Sequence, residues 1–310
     1  MRLLSNCSKV VMAMKYKIIH KTVYKYNEAV SLCHNEAHLM PRNSVYQTCL
    51  ASELVVEPLP IVQQERIDYF GNHVNYFAIQ SPHLILTITA NSLVDVSDPG
   101  EAALSLVSPP WEYVRDILTQ DISLDTLNAR EFVLDSHFAS TDNSLMAFAM
   151  PSFSRNRPIL EATSDLMRRI FTEFTYDPNF TTIITPLSDV LLHRRGVCQD
   201  FAHLMIACLR SLGLAARYVS GYLETLPPPG QVKLQGSDAS HAWLAVYVPE
   251  RGWIDFDPTN NQIPTNQHIT TAWGRDYSDV TPLKGIIFGG GEHLLSVSVD
   301  VNRATDEVTF

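Results

Sequence analysis

Arg194-Arg195-Gly196-Val197-Cys198-Gln199-Asp200-Phe201-Ala202-His203-Leu204 places a thiol where a glycine-led turn runs into a helix. Beyond it, Phe201, Leu204, Met205, Cys208, Leu209 and Leu212 recur at i, i+3, i+4, i+7, i+8 and i+11, the stripe of an amphipathic helix over about 198–212. Asp200 in the first turn, Arg210 near the end and Gly213 just past it are the expected boundary signals. Cysteine is usually a buried hydrophobe, and Cys208 fits that role within the stripe. Cys198 does not, because it lies at the helix start among Arg194, Arg195, Gln199 and Asp200. His203 falls off the stripe and reads as a residue of the solvent-facing surface or of the rim around the thiol.

Two downstream segments complete a pattern. Ser240-His241-Ala242-Trp243 opens one strand, and Trp253-Ile254-Asp255-Phe256-Asp257-Pro258-Thr259 closes another. A thiol attacks as its thiolate, which a helix N-terminus and a neighbouring imidazolium both favour. Cys198 therefore reads as the nucleophile, His241 as the base, and an aspartate as the group that orients the imidazole. If the two strands pair with residue numbers summing to 498, His241 and Asp257 share a face, with Trp243 opposite Asp255 and Val248-Pro249-Glu250 as the loop. Asp255 shares that face and competes for the carboxylate role, but Asp257 ends its strand beside His241. The Cys198 N–H is a natural oxyanion donor. The second donor falls to the Gln199 side chain or to a residue near Tyr176, and the residues do not choose between them.

Around this centre the chain divides in texture. Tyr16–Tyr26, Cys49–Glu57, Asp68–Ile79 and Leu84–Val96 read as strands separated by Pro41-Arg42-Asn43, Pro58-Leu59-Pro60 and Gly71-Asn72. Strands with no intervening helix imply an N-terminal antiparallel β-sandwich over 14–100, with residues 1–13 a disordered or start-site extension. Helical signals follow at Pro110–Leu118, Arg130–Phe138, Asn143–Met150 and Pro158–Phe174. The expected division is a helical connecting region over 101–158 and a core over 159–310, in which strands at 215–223, 241–248, 253–257 and 294–301 follow the cysteine helix. The fold class is α+β.

Bulk properties exclude other classes. Twenty-three basic against 33 acidic residues give a net charge of −10, which disfavours nucleic acid and anionic membrane surfaces. No apolar run approaches the roughly 18 residues of a membrane span, and the N-terminus has too short an apolar run for a signal peptide. Cytoplasm is the expected location. Five cysteines at 7, 33, 49, 198 and 208 match no zinc spacing and read as free thiols. Cys33-His34-x3-His38 lacks a fourth ligand and sits in strand and loop, so no metal is expected there. Gly289-Gly290-Gly291 lacks the Lys-Ser/Thr of a phosphate loop.

Arg195-Gly196-Val197-Cys198-Gln199-Asp200-Phe201-Ala202-His203-Leu204, together with Ala215–Tyr222, His241-Ala242-Trp243 and Phe256-Asp257-Pro258-Thr259-Asn260, closely resembles the transglutaminase-like superfamily. The resemblance is greatest to the bacterial branch described as transglutaminase-like enzymes or cysteine proteases. That branch's own N-terminal β domain is resembled through Tyr16–Tyr26, Leu39-Met40-Pro41-Arg42 and Asp68-Tyr69-Phe70-Gly71-Asn72, and its tail through Trp273–Val280. The resemblance implies a papain-like core with the catalytic cysteine at a helix N-terminus packed on an antiparallel sheet, and a Cys198–His241–Asp257 triad. It implies thioester chemistry on a peptide or protein substrate, isopeptide or glutamine-containing, by hydrolysis or transamidation, with no cofactor. It also adds Trp243, Asp276 and Tyr277 to the substrate-binding set. No D-x-[DN]-x-[DN]-G loop is present, so calcium control is not implied. A non-catalytic binding scaffold is the rival reading; it expects Cys198 buried or out of hydrogen-bonding reach of His241.

Overall fold

The computed structural model describes residues 13–99, 105–182, 184–225 and 240–304. Cys7, with the rest of the expected N-terminal extension through residue 12, and most of the Pro-rich loop after residue 225 lie outside the described residues. Five strands come first: β1 (Ala13–Ala37), β2 (Gln47–Glu57), β3 (Val62–Ile67), β4 (His73–Ile79) and β5 (His83–Ser97). Helices α1 (Trp111–Gln120), α2 (Leu124–Arg130), α3 (Asn143–Ala149) and α4 (Ile159–Glu173) follow. Next are β6 (Thr175–Tyr176), α5 (Leu187–His193), β7 (Arg195–Gly196) and α6 (Cys198–Ser211). The chain continues through β8 (Ala216–Leu223), β9 (Ser240–Val248), β10 (Gly252–Phe256), β11 (His268–Gly274), α7 (Tyr277–Val280), β12 (Leu283–Gly289) and β13 (His293–Arg303).

The N-terminal sandwich is a single sheet folded on itself. β1 runs for 25 residues, more than twice the stretch whose alternation is legible. Its first half pairs with β5 and β13, and its second half with β4 and β12. Tyr26, Val30, Cys33 and Ala37 then pack against Leu54, Val56, Leu86, Ile88, Phe77 and Ile79 across the fold. Two strands near the C-terminal end thus join the N-terminal sheet and not the four-stranded sheet of the core. β3 is exposed throughout, which is why hydrophobic alternation missed it. Asp68–Gly71, expected in a strand, is a turn in which Asp68 accepts the N–H groups of Phe70 and Asn72.

The core places α6 against an antiparallel sheet ordered β10-β9-β8-β11. α6 is buried on every side from Asp200 to Arg210, and so is a central helix where one apolar stripe was expected. Arg210 is tolerated there because its guanidinium donates to the carbonyls of Phe132, Ala139, Ala216 and Arg275 and to the Ser136 hydroxyl. The helix expected over 130–138 lies earlier: Ser123 caps α2, and a single 3-10 turn at Glu131–Val133 ends it. α1 and α4 each start after a proline, Pro110 and Pro158.

β11 is an edge strand, and its backbone is satisfied by side-chain amides of the N-terminal region in place of another strand. Gln47 accepts the Thr270 N–H at 2.8 Å and donates to the Thr270 carbonyl at 2.7 Å. Asn72 does the same at Trp273, at 2.9 and 2.8 Å. On the far side, Glu224 takes the Tyr16 hydroxyl at 3.0 Å and the Arg303 guanidinium at 2.6 and 2.9 Å. Asn72 is fully buried, so Asn72→Ala strands both the Trp273 N–H and its carbonyl. The expected loss is about 2–4 kcal/mol of unfolding free energy, measured by denaturant titration, with Ser44→Ala as an unaffected control.

Candidate active site

Cys198 is the first residue of α6, half-buried against the core. The turn before it is built at Arg194, which ends α5 in a left-handed conformation with φ 55°. Gly196 matters for space and not for conformation, since a Cβ there would lie 2.9 Å from the Asp200 carboxylate. Asp200 needs that space because its Oδ2 accepts the Val197 N–H at 2.8 Å and the Thr181 hydroxyl at 2.7 Å. This is the half of a capping box that a valine N-cap permits. It fixes the entry into α6 while the N–H groups of Cys198 and Gln199 face no helical carbonyl.

β9 and β10 pair two residues away from the expected register, with Gly252 opposite Val248 and Asp255 opposite Ala245. The three-residue loop is therefore 249–251 in place of 248–250, and Glu250 at φ 66° and Gly252 at φ 76° make its turn. A shift of two keeps every side chain on its face, so His241 and Asp257 still meet: Nε2 of His241 donates to Oδ2 of Asp257 at 2.8 Å. The Cys198 side chain lies next to His241 and favours the charged form of its ring. Burial of the His241 ring opposes its charge, but the bond to Asp257 and the neighbouring Cys198 outweigh that and raise it to about 10. Asp257 is fully buried. Burial alone would raise its carboxyl, yet the bonds from His241 and His268 hold it far below the usual carboxylate range.

The expected competitor, Asp255, accepts the Trp243 indole N–H at 3.0 Å and does not touch His241. Trp243 is fully buried, stacked beside His241 at 6.0 Å between centroids, and forms a wall under the histidine. Tyr176 pairs with Gly196 across β6 and β7 and is 55% exposed at the mouth. Burial and the nearby Cys198 and Asp200 push its hydroxyl up. Gln199 is half-buried beside Cys198. Asp276 does not line a cleft: it is fully buried, caps α7 through the Ser278 N–H and accepts the Phe138 N–H. Tyr277 gives its N–H to His203 Nε2 at 3.1 Å. His203 is no surface residue, being 2% exposed and stacked between Phe138 and Tyr218. Burial pushes it down to about 3, so it is neutral.

Two residues at the site carried no assigned role at the level of sequence. His268, at the start of β11, donates through Nε2 to the same Asp257 oxygen at 3.1 Å, and Asn260 donates to it at 2.8 Å. His268 had only the alternation of 268–274 to announce it, which its Thr270-Thr271 pair blurs. His241, Asp257 and His268 bring ligand-type atoms within 4.8 Å of one another. Both histidines spend those nitrogens as donors to one carboxylate, so a cation there would have to displace the protons. Cys33-His34-x3-His38 does not converge: His34 bonds the Tyr76 hydroxyl and His38 the Thr281 carbonyl.

The His241 charge sets a pH signature. Its folded value lies above the ordinary 6.5, so its contribution to stability is complete below pH 6.5 and is lost as pH rises through about 10. NMR titration of the His241 ring is expected to show a cation throughout neutral pH. Asp257→Asn is expected to lower its midpoint by about two units, and Cys198→Ala by less.

Comparisons with known proteins agree with this geometry. Residues 16–95 match the bacterial transglutaminase-like N-terminal region, and residues 148–258 match the transglutaminase-like superfamily. An uncharacterised protein of Mycobacterium tuberculosis is 44% identical over 294 residues, covering 93% of this chain and 92% of its own. Another from Mycobacterium leprae is 34% identical over 293 residues, covering 93% and 99%. A protein-glutamine gamma-glutamyltransferase of Pseudomonas aeruginosa is 33% identical over 107 residues, 32% of this chain and 16% of that one. The crystal structure of a candidate cysteine protease from Cytophaga hutchinsonii superposes with a TM-score of 0.74 at 23% identity, covering 96% of this chain and 93% of that one, and so shares the fold. No helix among the described residues is long and apolar enough to cross a membrane. With family models matching both its N-terminal region and the segment that bears Cys198, and with the fold in keeping, the chain belongs to the transglutaminase-like superfamily.

Proposed function

We propose that the protein is a cysteine-dependent amide hydrolase, a peptidase or deamidase working through a thioester. The observation that carries this reading is the chain of contacts from Cys198 to His241 and on to Asp257 at 2.8 Å. Cys198, as thiolate, attacks the carbonyl carbon of a peptide, isopeptide or glutamine side-chain amide. The C–O π pair moves onto oxygen, where the Cys198 N–H at the helix start can receive it. When the tetrahedral adduct collapses, the C–N bond breaks and the His241 imidazolium gives its proton to the departing nitrogen. Water then attacks the thioester while His241 takes the proton, and the C–S bond breaks to return the thiolate. Asp257 holds the ring in place and stabilises its charge throughout.

Transamidation uses the same residues with an amine in place of water. The name of the Pseudomonas aeruginosa relative keeps it as the second reading. A scaffold without chemistry is disfavoured, because it expects Cys198 out of reach of His241. Cys198→Ala and His241→Ala are each expected to reduce turnover of a glutamine-peptide library at least about a thousandfold, read by released ammonia or new termini. Iodoacetamide at neutral pH is expected to label Cys198 and spare Cys208, which is fully buried with its thiol pushed up by burial. Faster labelling of Cys208 would remove the assignment. With a labelled amine present, incorporation that outruns ammonia release without incorporation would select transfer over hydrolysis.

A further inference from the structure

A cleft of about 890 Å³ opens on the face of the four-stranded sheet turned away from α6, walled on the other side by Tyr69 and Phe70 of the N-terminal region. The size suits a small ligand. Neither Cys198 nor His241 lines it. Five charged side chains do, and three are already engaged. Asp125 takes the Tyr247 hydroxyl, Glu131 lies beside the Tyr69 hydroxyl, whose proton it holds more tightly, and Arg251 donates to the carbonyls of Ser105 and Val107. Arg217 and Asp255 remain.

Arg217 is 9% exposed, and its guanidinium lies 3.7 Å from the centre of the Trp273 ring and 4.4 Å from that of Trp253. The stack fixes its direction but satisfies none of its donors, and Nε has no acceptor. A buried guanidinium normally finds carboxylate or carbonyl partners, as Arg210 does in this chain. Asp255 feels the Arg217 charge but forms no ion pair with it, and among the described residues it accepts only the Trp243 N–H. One cation and one anion therefore line a single aromatic-walled cleft, held apart, each with hydrogen-bonding capacity unused.

We propose that this cleft binds a zwitterion, a free amino acid or a short peptide, whose carboxylate pairs with Arg217 and whose ammonium pairs with Asp255. The planar guanidinium fork matches a carboxylate, and Trp253, Trp273 and Phe70 take the apolar side chain. The site stands apart from the chemistry assigned to Cys198 and holds whether or not that chemistry is correct. Trp243 connects the two, since its indole N–H meets Asp255 and its ring packs on His241.

The test is calorimetric and tryptophan-fluorescence titration of the full chain with phenylalanine and glycyl-phenylalanine. Controls are N-acetyl-phenylalanine, phenylalaninamide and the doubly blocked N-acetyl-phenylalaninamide. Saturable binding of at least one zwitterion is expected, weakened about tenfold or more by blocking either charge. Asp255→Asn and Arg217→Gln are expected to weaken it similarly, while Cys198→Ala leaves it unchanged. The tighter of the two zwitterions identifies amino acid or peptide as the ligand. Failure of both zwitterions to saturate at about 10 mM, or binding of the doubly blocked analogue within about threefold of them, overturns the proposal. If Arg217→Gln fails to fold, the near-isosteric Asp255→Asn decides, and wild-type affinity in that variant also overturns it.

Discussion

A fully buried carboxylate is expensive unless its charge is matched, and five donors match Asp257. His241, His268 and the Asn260 amide converge on Oδ2, while Oδ1 takes the backbone N–H groups of Thr259 and Asn260. The strand end, the turn after it and the start of β11 must all be in place for these donors to arrive together. In return, Asp257 keeps His241 charged and aimed, and His241 reaches the thiol. Both lobes of the molecule support that arrangement, because β11, which carries His268, has its free edge satisfied by Gln47 and Asn72.

The other side of the site rests on packing. α6 is enclosed from Asp200 to Arg210, so Cys198 cannot shift along the helix axis without disturbing a close-packed core. Asp200 then secures the turn that delivers the thiol, in space that only a glycine at 196 leaves free. Rigid burial behind Cys198 and partial exposure in front of it are what a preorganised site requires.

Much of this was legible in the residues. The glycine-cysteine step, the opening histidine and the closing aspartate announce themselves by position, and the strand parity of His241 and Asp257 survives an error of two in register because parity ignores it. What eluded the sequence is what depends on distant partners. A pattern of apolar spacing showed one stripe on α6, and only the surrounding helices and sheet reveal that the remaining faces, with His203 and Arg210, are also enclosed. Asp276 looks like a candidate for substrate contact until Phe138, far away in sequence, is found donating to it. His268 and Arg217 owe their significance to strand neighbours that no local window contains.

The length of β1 has a consequence for biosynthesis. Tyr16 pairs with Arg303 and Tyr26 with His293, so the first of the described strands completes one flank with the last of them. At about 5–20 residues per second, the emerging edge waits on the order of ten seconds or more before its partner exists. During that interval the apolar side chains of Ile18 and Val30 are available to wrong partners. Lysines at 17, 21 and 25, placed at every fourth position along the same strand, are the kind of charge that discourages edge-to-edge association until the correct neighbour has been made.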